Sequence, residues 1–266
     1  MEYLVKQAEQ LAEKGVKELI LVAQETTVYG VDIYGKKMLA ELVKKLAAIK
    51  DIAWIRILYC YPEEIDDALI EVIKNEPKVC HYLDIPIQHA SDSILKKMGR
   101  RTTKQELKDV INKLRENIPD IALRTTLITG FPGETQKDHE EMLDFVDEME
   151  FDRLGVFTYS PEEDTPAAVM PDQIDEEVKE DRQADIMELQ QEIAFDKAED
   201  MIGREVLVMI EGKVADENAY VGRTYRDAPN VDGLIFINTD VELISGDFAK
   251  VKVTGALDYD LIGELM

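Results

Sequence analysis

Over residues 1–160, short apolar runs alternate with amphipathic helical segments, and this constrains the fold more than any other feature of the chain. Met1–Lys14 sets Leu4, Ala8 and Leu11 on one helical face before Gly15 ends it. Glu18–Ala23 is then continuously apolar after its first residue, as a strand buried on both faces of a parallel sheet requires. The pattern repeats. Strands are predicted at Ile52–Tyr59, Val79–Ile87, Ile121–Thr129 and Arg153–Tyr159. Helices are predicted at Lys36–Ala48, Pro62–Lys74, Ser91–Met98, Thr103–Asn117 and Thr135–Met149. Such alternation implies α/β architecture with right-handed crossovers. Because the series opens on a helix, the expectation is an open, partial TIM-like barrel with a strand missing ahead of residue 1. An unpaired edge should lie there, prone to intermolecular contact or poor order.

Pro161–Pro171 has no periodicity and reads as a loop. Gln173–Ala198 reads as one long helix with Val178, Ile186, Leu189 and Ile193 on its apolar side. From Gly203 the pattern becomes five short β runs punctuated by Gly, Asn and Asp, which fits a small all-β, OB-like barrel. The expected domains are therefore 1–202 and 203–266.

Composition enters through charge. The net charge is −25, which disfavours phosphate backbones and favours a basic protein partner. Residues 203–266 alone carry 12 acidic and 6 basic side chains, unlike a barrel built to grip RNA. No apolar run approaches a membrane span and the N-terminus has no secretory pattern, so no membrane partner and a cytoplasmic location are expected. Cys60 and Cys80 are too far apart for a local metal motif and read as packed thiols.

Ligands of a parallel barrel sit at the C-terminal strand ends. Those ends carry Gln24-Glu25-Thr26, Tyr59-Cys60-Tyr61, Gln88-His89-Ala90-Ser91, Thr129-Gly130-Phe131 and Tyr159-Ser160-Pro161. Gly130 and Gly133 permit a tight turn, and Glu134 and Thr135 can cap the helix that follows. His89 reads as a hydrogen-bonded structural residue.

Four strings resemble one family, the radical S-adenosylmethionine (SAM) methylthiotransferases: Gly15–Gly30, Pro86–Arg101, Arg124–Thr135 and Tyr159–Pro166. The last 64 residues resemble that family's TRAM domain. The resemblance implies SAM as cofactor and two four-iron four-sulfur clusters in the full-length enzyme. Neither cluster-binding cysteine set is present, so a C-terminal, inactive fragment without clusters is expected. By the same resemblance, Gln24, Glu25 and Thr26 receive the methionine end of SAM. Gln88, His89 and Ser91 lie near SAM or its ribose, and Thr129, Gly130 and Phe131 line adenine. Arg124, Arg100 or Arg101 could pair with the SAM carboxylate.

The family has two branches. One modifies a transfer-RNA adenosine; the other methylthiolates an aspartate of ribosomal protein S-twelve. Gly222–Gly233, Ile87–His89 and the Glu162-Glu163-Asp164 run resemble the protein-modifying branch. The implied partners are then a basic ribosomal protein or the small ribosomal subunit, and an electron donor; transfer RNA fits less well. The other classes are a cluster-free binding module and a SAM-independent barrel enzyme, the latter needing a strand-end lysine or metal cluster that is not found.

Overall fold

The computed structural model describes residues 1–215 and 218–266. Its first unit runs α1 Glu2–Glu13, β1 Glu18–Leu21, α2 Val31–Tyr34, α3 Leu39–Ala47, β2 Trp54–Ile57, α4 Asp67–Asn75, β3 Val79–Asp84, α5 Asp92–Lys97, α6 Lys104–Asn117, β4 Ala122–Thr129, α7 Gln136–Met149, β5 Arg153–Thr158 and α8 Glu176–Glu199. The five strands are parallel and lie in sequence order. Thr103 and Thr135 begin α6 and α7 with reciprocal capping boxes, each hydroxyl accepting from the third helical N–H.

Two expected elements differ. The helix proposed from Pro62 is a 3₁₀ turn, Pro62–Glu64, followed by a helix capped by Asp66. The short α2 was not foreseen, because Gly30 and Gly35 bracket only four residues.

Strand faces divide the molecule. Ile55, Ile57, Leu83, Leu123 and Leu127 pack outward against the helices, in one core with Val43, Ile73, Leu107 and Phe145. The alternate positions face inward. There Trp54, Cys80, Tyr82 and Ala122 meet Ala228, Tyr225 and Phe248 of the second unit. That unit is a closed barrel of β6 Glu205–Lys213, β7 Ala219–Arg223, β8 Ile235–Asn238, β9 Phe248–Leu257 and β10 Asp260–Leu265, ordered β10-β8-β7-β6-β9. Its Arg223–Gly233 side plugs the lower half of the inner face and leaves the C-terminal rim open.

Among the described residues, the two sheet edges are unlike. β1 pairs only with β2, and Val22 just beyond it is exposed. Along β5 runs α8, whose Gln183 and Gln190 amides donate to the Val156 and Phe151 carbonyls at 2.6 and 2.8 Å. The buried face of α8 holds the expected Ile186, Leu189 and Ile193 and polar residues besides. Val178 is exposed, while Lys179, Arg182 and Gln190 are buried beside Ile186 and Ala194. A helix laid on a strand edge meets backbone carbonyls, which call for donors rather than for methyl groups.

Candidate active site at the strand ends

Beyond β4 the chain turns at Gly130, whose φ of +71° suits glycine, and a Cβ there would lie 2.2 Å from Lys179 Cγ. The Glu134 carboxylate turns back into this bend instead of capping α7. Its Oε2 accepts from the Gly130 and Phe131 N–H groups at 2.7 and 3.3 Å, and Oε1 accepts from Arg182 at 2.9 Å. Lys179 adds a second tie from α8, donating to the Tyr159 carbonyl at 2.9 Å.

Around this turn lies a cavity of about 750 Å³. Phe131, Phe157, Tyr159 and Ile128 give it apolar and aromatic walls; Gln88, Thr126 and Arg100 supply polar groups. Phe131 and Tyr159 pack edge to face at 5.2 Å. Tyr159 lines the cavity, and its Oη is buried without a partner. The Arg100 guanidinium sits over the Tyr61 ring at 4.6 Å and donates to the Pro86 carbonyl at 2.6 Å. Gln88 occupies the left-handed region at φ 73°, held by backbone bonds to Thr126 and Ile128, which tilt its side chain into the opening. The size and lining suit a nucleoside-sized ligand.

The expected residues thus separate. Gln88, Arg100 and Phe131 line the cavity, and Thr129 and Gly130 lie directly behind it. Ser91 and His89 are buried behind the wall: the Ser91 N–H donates to His89 Nδ1 at 2.9 Å, and the Ser91 hydroxyl donates to Asp138 at 2.5 Å. His89 Nε2 faces Glu134 at 3.4 Å. Burial opposes ionisation of Asp138. Hydrogen bonds from Ser91, Thr135 and Ser93 outweigh it and hold the carboxyl well below the usual range. Gln24 is exposed and Thr26 is tied to the Leu58 carbonyl at 2.6 Å. Glu25 accepts from the Thr27 and Tyr61 N–H groups at 2.8 and 3.1 Å; burial nevertheless raises its pKa. Arg101 is exposed.

Arg124 lies elsewhere. Its guanidinium faces the plugged lower half, 3.3 Å from Asp84 and 3.4 Å from Asp232 of the β-barrel. It sits four residues, about 13 Å along β4, below Ile128. The Gly222–Gly233 string is partly internal: Arg223, Thr224, Asp227 and Ala228 are buried, while Asn230 and Val231 are exposed. Sequence reasoning missed Thr126, Phe157, Glu134 with Arg182, and Lys179. The strand alternation that puts Thr126, Ile128 and Phe157 on the inner face was a usable signal for the first two.

Cysteine chemistry has no place here. Burial drives the Cys60 thiol far up and pushes Cys80 up to about 12, so neither is poised as a thiolate. An iron–sulfur cluster held by three thiolates does not fit this residue set.

The Radical SAM superfamily profile matches residues 1–146 and a TRAM domain profile matches residues 202–266. A protein of Lachnoclostridium phytofermentans named ribosomal protein uS12 methylthiotransferase RimO is 66% identical over 263 residues, covering 99% of this chain and 60% of that protein. Its namesake in Acetivibrio thermocellus is 53% identical over 266 residues, covering 100% and 59%. The chain thus spans about three fifths of the length of these relatives. Among solved structures, the radical SAM methyltransferase TsrM of Kitasatospora setae, with cobalamin and a [4Fe-4S] cluster bound, has a TM-score of 0.45 at 16% identity, covering 58% of this chain and 30% of that one.

Proposed function

This chain belongs to the radical SAM superfamily, and from that premise we propose that it forms the SAM-binding barrel and β-barrel of a methylthiotransferase acting on ribosomal protein uS12. The observation that carries the reading is 66% identity over nearly the whole chain to a protein of that name. The acidic surface supports a basic protein as substrate over transfer RNA, in a cytoplasmic setting. Among the described residues no helix is long and apolar enough to cross a membrane.

SAM, when bound and cleaved by one electron from a donor with release of methionine, would supply hydrogen-abstracting radical chemistry. The residues of this chain bind and orient it. Phe131, Ile128 and Phe157 offer the adenine an apolar slot, and Tyr159 Oη and Gln88 are the polar groups that fix its rotation. Arg100 and Lys97 are the cations on the cavity lining that would meet the SAM carboxylate. Glu134, gripped by Arg182, keeps the Gly130-Phe131 backbone against the adenine edge. The iron–sulfur clusters require cysteines that this chain does not carry, and no step is assigned to them.

The gene product containing this chain, reconstituted anaerobically with iron and sulfide and supplied with SAM and dithionite as reductant, should add one methylthio group to an aspartate of purified uS12, read by mass spectrometry. Methylthiolation of a transfer-RNA adenosine with uS12 left unmodified would overturn the reading.

A further inference from the structure

Gln190 is only 2% exposed, and its amide is fixed in orientation. Nε2 donates to the Phe151 carbonyl at 2.8 Å, and a flip would set oxygen against oxygen. Its Oε1 is buried without a partner. Arg153 is the converse. Nη1 donates to the Asp152 carbonyl and Nη2 pairs with Asp227, yet Nε is buried and unpartnered. Buried polar atoms without partners are rare, because each forfeits its hydration for nothing. The two residues that carry this acceptor and this donor line one cavity of about 440 Å³, bounded also by Gly155, Met187, Asp232 and Tyr259.

We propose that this second cavity seats the main chain of the polypeptide substrate next to the residue being modified. A peptide N–H would satisfy Gln190 Oε1 and a peptide carbonyl would satisfy Arg153 Nε. The inference rests on the protein-substrate reading above. A peptide group presents the complementary donor and acceptor. Position agrees: Gly155 lines this cavity and Phe157 lines the SAM-sized one, two residues and about 7 Å apart on the same face of β5. One extended segment can therefore occupy the seat and reach the first cavity. Charge agrees too. Asp152, Asp232 and Asp260 outnumber Arg124 and Arg153 on the lining, which favours a cationic polypeptide and disfavours a polynucleotide.

Gly155 makes the test clean. A Cβ there meets nothing nearer than Phe157 Cε2 at 4.0 Å, and its φ is unexceptional, so Gly155→Val fills the seat without a clash. Purified uS12 is titrated into the 266-residue chain by calorimetry, with SAM titrated separately. Gly155→Val should keep its melting temperature and SAM affinity and lose about tenfold or more in uS12 affinity. Gln190→Met, which removes the acceptor and also the bond to the Phe151 carbonyl, should lose about three- to tenfold in uS12 affinity at a temperature where melting shows it folded, the scale of one hydrogen bond. Unchanged uS12 affinity in both variants overturns the seat and leaves the function standing. So does failure of the unsubstituted chain to bind uS12 when the gene product still methylthiolates it. Failure of both binding and methylthiolation overturns the function and the seat together.

Discussion

The two ends of the strand barrel handle polar groups in opposite ways. At the lower end charges turned inward meet opposite charges, several of them from the second unit. Glu18 receives Arg56 at 2.8 Å and Arg223 at 2.6 Å, Arg223 also reaches Glu211 at 2.5 Å, and Arg226 reaches Asp152 at 2.7 Å. At the upper rim, Tyr159 Oη stands without a partner, backbone sits at positive φ, and the Glu25, Glu134 and Asp138 carboxylates hold loops, Glu134 with Arg182 as its one cation. Most charges of the lower end join the two units, with Arg153 Nε and Gln190 Oε1 left over beside the second cavity; the rim keeps its unpaired groups around the first. Local strain at a rim of this kind persists because the rest of the fold over-determines it.

The largest expected effect tests the lower end. Glu18→Ala would leave the buried Arg56 and Arg223 guanidinium groups facing each other and should cost about 3–5 kcal/mol of stability in urea unfolding. A loss near zero would mean the network is dispensable. The rim gives the next. Gly130→Ala meets both a positive φ and the Lys179 stem, and should cost about 1–3 kcal/mol while weakening SAM binding. SAM affinity equal to that of the unsubstituted chain would detach this turn from the cavity.

Two carboxylates sharpen the contrast within the rim itself. The depressed pKa of Asp138 means that it adds stability above the unfolded value, near pH 4, and that this is lost as pH falls through its lower folded value. Asp138→Asn should cost about 1–3 kcal/mol at pH 7 and flatten the acid limb of a stability–pH curve. Glu25 has the opposite sign. Its raised pKa gives stability present at low pH and lost as pH rises through the folded value. Glu25→Gln should change stability at pH 7 by under about 1 kcal/mol and remove that decline. A parallel response of the two variants to pH would break the assignment.

Most of the strands and helices were legible because parallel strands and amphipathic helices write their burial into apolar spacing, as in Ile121–Thr129 and Thr103–Asn117. The cavity residues Gln88, Arg100 and Phe131 were reachable through strand ends. What stayed hidden was polar burial. Lys179, Arg182 and Gln190 look like a solvated face because their partners are backbone carbonyls and a carboxylate far off in sequence. Arg124 could not be placed without Asp232, which lies more than a hundred residues away across the domain junction. The Gly222–Gly233 string, read only as a likeness to the protein-modifying branch, lies within the span matched to a relative of that name; that it packs into the domain junction was not legible in its sequence.

α8 carries a final consequence. Ile186 belongs to the core of the α/β unit, Ala198 and the adjoining Met201 to the core of the β-barrel, and Phe195 packs against Tyr259 at 5.4 Å. A helix with one end in each core cannot melt with one unit and stay folded with the other. Heating should therefore give a single calorimetric endotherm whose van't Hoff and calorimetric enthalpies agree, so that two units of distinct architecture lose their structure as one cooperative body.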